Sequence, residues 1–376
     1  MHMKWFRSVP MFNNELKSRL EIWSLCESLS FCCKKQFQVS VDLGKSTNVL
    51  SLKREVLQNL KAEILSVRTS RQALYSATNT KKIEKCPVCE ISALNSEFKF
   101  KIYDGNYCQC SNCGHCFVIN RPTKQVLQKF YSSDSHYSST YTDKLLMEER
   151  IKEIVVPKLE WVIKTYKNLY GKPPRKILDV GAGGGHFVYA CKKNGLDAVG
   201  VEISESSRIF CKNNFGIDLE CIDFTKEYKR FSDVDIITFW GVIEHVPNPI
   251  EFLKSAYKVL FKRESLVVAE VPRWNCLGTV VQEIFNDSVV RHLDPLGHIN
   301  CFTDNSLLSA FYKSGFSPVA AWYFGMDVYE LLVQMSYFLE DERIIYEMGE
   351  HINKLQNILD SAFLSDEIVL VGQPYI

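Results

Sequence analysis

The run Ile177-Leu178-Asp179-Val180-Gly181-Ala182-Gly183-Gly184-Gly185 constrains this chain more than any other stretch. It is an apolar strand that ends on a carboxylate and turns through alternating glycines into a helix. Glycines at 181, 183 and 185 take most Cβ atoms out of the turn. A ligand can then lie on bare backbone, with amides of the next helix facing its anionic part. Asp179 stands where an acidic side chain orders the turn or receives a cationic group. The dinucleotide fingerprint G-x-G-x-x-G fails: His186 falls at the third glycine counting from Gly181, and Val188 counting from Gly183. A nicotinamide enzyme is disfavoured.

Further carboxylates follow in order. Asp197–Glu202 reads as a short buried strand ending in Glu202, about twenty residues past the turn, where a carboxylate can take both hydroxyls of a ribose. A third strand around Ile217–Cys221 ends at Ile222-Asp223, and a fourth begins at Asp235 and runs through Trp240 into Gly241-Val-Ile-Glu244-His245-Val-Pro. Taken together, these segments resemble class I S-adenosylmethionine-dependent methyltransferases. The glycine turn is similar to their motif I, Asp223 to the acidic position that meets the adenine amino group, and Asp235–His245 to their D-x-x-x-x-x-x-V-x-E-H segment. The resemblance implies that Asp179, Gly181, Gly183, Gly185, Glu202, Asp223 and Trp240 bind S-adenosylmethionine.

Ser265–Val271, Phe316–Phe324 and Glu367–Gly372 supply a fifth, sixth and seventh strand, with helical segments Ser204–Asn214 and Pro249–Phe261 between earlier ones. The expected fold is α/β: a doubly wound, seven-stranded Rossmann-like sheet with cofactor at the carboxyl ends of its first strands. By resemblance, the last strand runs antiparallel.

Cys86-Pro-Val-Cys89 and Cys110-Ser-Asn-Cys113 give C-x2-C-x20-C-x2-C, close to the spacing of a zinc ribbon with four thiolates. Cys86, Cys89, Cys110 and Cys113 are the expected Zn2+ ligands. Cys108, His115 and Cys116 rank lower, because 110 and 113 alone reproduce the knuckle. Cys110–Tyr137 also resembles the amino-terminal zinc module of a methyltransferase subgroup that includes sugar C-methyltransferases and polysaccharide-cluster enzymes. In that subgroup, tyrosines like Tyr137 or Tyr141 approach the cofactor.

These readings divide the chain into an accessory helical or mixed segment (1–83), a ribbon (84–120), a linker covering the cofactor (121–150) and a methyltransferase domain (151–376). That domain carries a lid (273–303) and a helical insertion (327–365). Within the accessory segment, Leu16–Leu29 and Leu52–Val67 have helical apolar spacing, flanking a strand at Gln36–Leu43.

Methyl transfer to a hydroxyl needs a proton acceptor, and histidine suits neutral pH. His245, after the fourth strand, and His298, in a Gly297-His-Ile-Asn-Cys-Phe-Thr303 segment resembling the family's H-x-N-x-F-T, are the catalytic candidates. Thr303 is the expected cap of the helix after it. His292 ranks below both.

Composition narrows the context. Residues 1–85 hold 15 Lys or Arg against 7 Asp or Glu, and the rest 30 against 37. A basic segment beside a ribbon suits a nucleic-acid partner, but the charges are dispersed between apolar residues. The first residues have no signal peptide's apolar centre and no stretch approaches a membrane span. With four of the fourteen cysteines paired as ligands, a reducing cytoplasm is expected. The favoured function is methylation of a small polar, sugar-like acceptor, by a monomer or oligomer without a membrane. The alternatives are an RNA or protein methyltransferase, and a cofactor-binding protein that transfers nothing.

Overall fold

The computed structural model describes residues 3–8, 18–27, 35–53, 60–76, 78–127, 144, 146–261, 264–285 and 292–375. Apolar, β-branched runs at 176–180, 197–201, 236–240 and 266–272 form β9, β10, β11 and β12, which pair in parallel in the order β10-β9-β11-β12. Burial on both faces explains why these strands read as near-continuous hydrophobic runs. β15 (Glu367–Pro374) then inserts antiparallel between β12 and β14 (Phe316–Phe324), as expected. Helices Val156–Tyr170, His186–Lys193, Glu205–Phe215 and Pro249–Leu260 alternate with the parallel strands.

Two differences from expectation concern the sheet itself. The stretch around Ile217–Cys221 contributes only a parallel bridge, Val201 to Glu220, rather than a strand. At the other edge β1 (Met3–Ser8), β2 (Ser18–Glu27) and β3 (Lys35–Leu43) extend the sheet to nine strands, in the order β1-β2-β3-β14-β15-β12-β11-β9-β10. The accessory segment is thus part of the main sheet, and the helix expected at Leu16–Leu29 is β2 over its described residues. The misreading has a physical source. In β2 the inward position is a carboxylate: Glu21 is buried, while Leu20 points out, 59% exposed. Expected strand Gln36–Leu43 is β3, and Leu52–Val67 overlaps helices Val49–Leu52 and Leu60–Leu74.

A smaller sheet holds the cysteine segment. β5 (Ser96–Ile102), β6 (Gly105–Cys110) and β7 (Cys116–Val118) are joined by β13 (Asn300–Cys301), in the order β13-β7-β6-β5. The segment expected to be a lid therefore donates a strand to the ribbon, with Asn300 opposite Phe117 and Cys301 opposite Cys116. Helices Asp327–Leu339 and Ile352–Ser361 lie between β14 and β15 and bury Val328, Leu332 and Ile352. Met335 and Phe338 remain partly exposed. Among the described residues no helix is long and apolar enough to cross a membrane.

Candidate active site

Because β9, β10, β11 and β12 are parallel, their carboxyl ends bring four loops to one edge: 181–185, 202–204, 241–247 and 273–276. Asp179 lies near the end of β9, beside Thr238 of β11, whose Oγ1 donates to Asp179 Oδ1 at 2.7 Å. Burial, helped by nearby Glu202, pushes the Asp179 carboxyl up to about 7.

The turn after Asp179 uses its glycines in more than one way. Gly181, Gly183 and Gly185 have φ of 76°, 52° and 76°, the left-handed region where a Cβ is strained. A Cβ on Gly181 would lie 2.6 Å from Val242, and one on Gly185 2.1 Å from Cys211 Sγ. Two of the three glycines are therefore required by close packing of neighbouring elements, a reason that sequence reading assigned wholly to a ligand. Glu202 closes the turn: its Oε2 accepts from Gly183 N at 2.8 Å and its Oε1 from Ser204 N at 2.7 Å. Two amides fill two of about four acceptor sites on a carboxylate, which leaves capacity for a diol.

Asp223 has a different setting. It caps the short helix Phe224–Glu227, accepting from Thr225 N and Oγ1, and pairs with Lys226 at 2.9 Å, contacts that hold its carboxyl below the usual range. Trp240 ends β11 against Phe187, with ring centroids 5.2 Å apart. The Lys158 ammonium lies 5.0 Å from the Trp240 ring and pairs with Glu270 of β12. Glu270 opens the segment after the fifth strand that sequence marks as a substrate wall, but its pairing with Lys158 was not foreseen, since Lys158 sits in an ordinary helix pattern with no motif around it. Tyr137 and Tyr141 lie outside the described residues.

On the other side of the edge, His245 and His298 come together with ring centroids 5.2 Å apart. A backbone carbonyl only accepts, so the contacts of His245 Nδ1 with Gly297 O (2.7 Å) and of His298 Nδ1 with His292 O (2.5 Å) place each proton on Nδ1. In the neutral rings the basic nitrogen is then Nε2. Burial lowers the His245 pKa and pushes the buried Glu244 carboxyl up to about 8. His292 is interior, donating from Nε2 to Arg273 O at 2.8 Å.

Asn300 is the tie that holds this arrangement. Its N donates to Glu244 O (3.0 Å), its Nδ2 to Val246 O (2.8 Å), and its Oδ1 accepts from Arg121 (3.0 Å). Tyr107 of β6 donates to His298 O at 3.0 Å. Thr303 caps helix Asp304–Lys313 through a reciprocal bond with Ser306, as expected. The ribbon thus buttresses the loop that carries His298.

In the ribbon, the sulfurs of Cys86 and Cys113 are 3.6 Å apart and those of Cys89 and Cys110 are 3.4 Å apart, and all four lie within 4.8 Å of one another. Bonds of about 2.3 Å to a tetrahedral ion would set neighbouring sulfurs about 3.8 Å apart, so the four fit Zn2+. Gly114 turns after the second knuckle with φ 71°. Cys108, Cys116 and His115 fall outside this cluster. His115 is packed 4.7 Å from Phe302 and lies near Asn300 Oδ1.

Residues 158–321 match the family described as "Methyltransferase domain". This stretch is similar to methyltransferase domains. Its sequence is similar to ubiquinone biosynthesis O-methyltransferases. One from Aliivibrio fischeri is 29% identical over 109 residues, covering 27% of this chain and 45% of the relative. One from Coxiella burnetii is 38% identical over 89 residues, covering 22% and 37%. The chain spans less than half the length of these curated relatives. Among solved structures, a SAM-dependent methyltransferase from Archaeoglobus fulgidus aligns over 61% of this chain and 99% of its own, with 23% identity and a TM-score of 0.40. Magnesium protoporphyrin IX methyltransferase from Synechocystis PCC 6803 aligns over 67% and 100%, with 9% identity and a TM-score of 0.44. The matched residues include the glycine turn, Glu202, Glu244, His245 and His298.

Proposed function

We propose that the protein transfers a methyl group from S-adenosylmethionine to a hydroxyl of a small polar acceptor, with a sugar-type molecule as the favoured class. The observation that carries this reading is the edge itself: Glu202 locked to the glycine turn on one side, and two imidazoles with Nδ1 anchored on the other. When bound, S-adenosylmethionine supplies a methyl group on a sulfonium. Asp179 would receive its ammonium group, Glu202 its ribose hydroxyls, and Trp240 and Asp223 would border the remainder. Transfer is an in-line displacement, so holding the acceptor oxygen about 3 Å from the methyl carbon accounts for much of the rate. His245 or His298 would take the hydroxyl proton at Nε2. Cys86, Cys89, Cys110 and Cys113 would hold a structural Zn2+, with no open position for chemistry. The relatives' name supports an oxygen acceptor, and resemblance of the ribbon to the sugar-modifying subgroup supports the sugar class.

The nucleic-acid reading loses ground on charge. Arg7 and Arg19 of the basic segment point inward onto Glu21, at 2.9 and 2.7 Å, and Arg71 pairs with Asp294 at 2.9 Å. Cations consumed internally do not grip phosphate.

Titration calorimetry with S-adenosylhomocysteine tests the cofactor half. One site per chain is expected, with Asp179→Ala and Glu202→Ala each weakening binding at least about tenfold, or ~1.4 kcal/mol. Unchanged affinity in both variants would overturn the assignment. A pH series adds a second check. Free Asp179 titrates at about 7, and a ligand ammonium favours the carboxylate, so binding should release a proton and weaken as pH falls from 7 to 5. Asp179→Asn should flatten that slope.

For the acceptor half, methyl transfer from labelled S-adenosylmethionine to a panel of nucleotide-linked sugars is the direct assay. His245→Ala and His298→Ala should keep cofactor affinity while at least one loses turnover by about 100-fold or more. Full turnover in both would remove the histidines from the reaction.

A further inference from the structure

We infer that Glu244, His245 and His298 form a site for one divalent cation of the imidazole-preferring kind, separate from the ribbon. The inference rests on the reading of this edge as the acceptor side of a methyltransferase, and it makes the two histidines ligands there in place of proton acceptors, with the hydroxyl proton leaving to water.

Three observations on different side chains converge. First, one ligand atom from each of the three residues lies within 4.8 Å of the others. Second, Glu244 is 2% exposed, and its Oε2 is buried with no hydrogen-bond partner among the described residues. A buried carboxylate oxygen left so costs more than almost any other polar group unless something positive meets it. Its other oxygen, Oε1, lies 3.6 Å from His245 Nε2. Because His245 gives its Nδ1 proton to Gly297 O, the neutral ring turns a lone pair, not a proton, toward that carboxylate. A cation that takes the place of the carboxyl proton meets two acceptors at once. Third, both histidines are oriented in the way metal-bound imidazoles are, with the far nitrogen donating to a backbone carbonyl, Gly297 O for one and His292 O for the other.

The dimensions fit as well. Ligand bonds of about 2.0–2.1 Å place neighbouring donors about 3.0–3.5 Å apart in octahedral or tetrahedral geometry. The 3.6 Å pair needs almost no adjustment, and the third donor already lies within 4.8 Å of the other two. One carboxylate and two imidazoles suit Mn2+, Fe2+ or Zn2+ better than Mg2+ or Ca2+, which take oxygen donors. Three protein ligands leave a position open, the hallmark of a working rather than a structural site. A cation there would hold a hydroxyl-bearing acceptor by its oxygen and lower that hydroxyl's pKa. The preferred acceptor would then be one offering two adjacent oxygens.

Mn2+ is the probe, since it discriminates against the ribbon's thiolates. Electron paramagnetic resonance on the full chain with its ribbon zinc in place should show one equivalent of Mn2+ bound. Glu244→Gln and His298→Ala should each weaken it about tenfold or more while S-adenosylhomocysteine still binds, which also shows that the variants are folded. On the wild-type chain, bound Mn2+ should broaden the imidazole resonances of His245 and His298, a readout independent of any substitution. No Mn2+ binding by a wild-type chain that binds S-adenosylhomocysteine would overturn the cation site and leave the methyltransferase reading standing. Binding indifferent to both substitutions, or without broadening of the two imidazoles, would overturn it too. Mn2+ bound at these residues by a chain that ignores S-adenosylhomocysteine would keep the site and defeat the cofactor reading.

Discussion

Replacing Cys113 with serine should release zinc from the ribbon and reduce turnover about 100-fold or more, while cofactor affinity changes little. The zinc shell is proposed to consist of Cys86, Cys89, Cys110 and Cys113, whose sulfurs already lie within 4.8 Å of one another. Binding of a structural zinc contributes about 10–16 kcal/mol in isolated zinc-finger peptides, so a small sheet built around one does not survive its loss. The ribbon's sheet does not end with the ribbon. β7 pairs with Asn300–Cys301, Tyr107 holds the carbonyl of His298, and Arg121 holds Asn300, which in turn ties the loop of Glu244 and Val246. Loosening residues 86–118 therefore releases His298 and His245 from their positions without touching Gly183 or Glu202. Elemental analysis, limited proteolysis and calorimetry on the same preparation separate the effects. Metal retained by the Cys113 variant but lost on replacing Cys108 or Cys116 would place the shell on other sulfurs.

Glu21→Ala should destabilise the fold by about 3–5 kcal/mol, read as a lower urea midpoint at unchanged slope. Glu21 is 1% exposed and accepts from Arg7, Arg19 and the Trp23 indole. The Arg7 guanidinium also stacks over Phe363 at 3.8 Å and over Tyr323 at 5.0 Å. Removing the carboxylate leaves the mostly enclosed Arg19 guanidinium without its carboxylate and Arg7 with only the more distant Asp304, at 3.8 Å, a larger loss than the pairs' own net contribution. Glu21→Gln, which keeps the shape and removes the charge, should recover only part of the loss. A variant as stable as the parent would show that the arginines reach water instead.

The residues that were legible in the sequence share one property: their type and spacing follow from backbone geometry. The glycine turn, Glu202 after β10, the parallel strand runs, the antiparallel last strand and the paired cysteines all belong to this group. What the sequence concealed depends on partners far along the chain. β2 hides because a buried Glu21 breaks the apolar alternation that would mark a strand, and only Arg7 and Arg19 make that burial tolerable. The role of Asn300 depends on two segments, at 121 and at 244–246, neither adjacent to it. Lys158 and Glu270 are one ion pair separated by 112 residues. Asp223 shows the opposite case, a motif position whose immediate neighbours Thr225 and Lys226 already occupy its carboxylate.

Pairing of β3 with β14 sets Ser40 beside Ala320 and Val41 beside Ala321, 280 residues apart. On a ribosome adding about 5–20 residues per second, the segment made first must wait roughly 15–60 s before its partner is synthesised. Through that interval Val39 and Val41, fully buried at the end, lack the strand that flanks them on the β14 side. Long-range pairing of this kind slows folding, because the chain closes a large loop before any contact rewards it. These strands are thus made long before the partner they need, and a nascent chain is most exposed to aggregation through them.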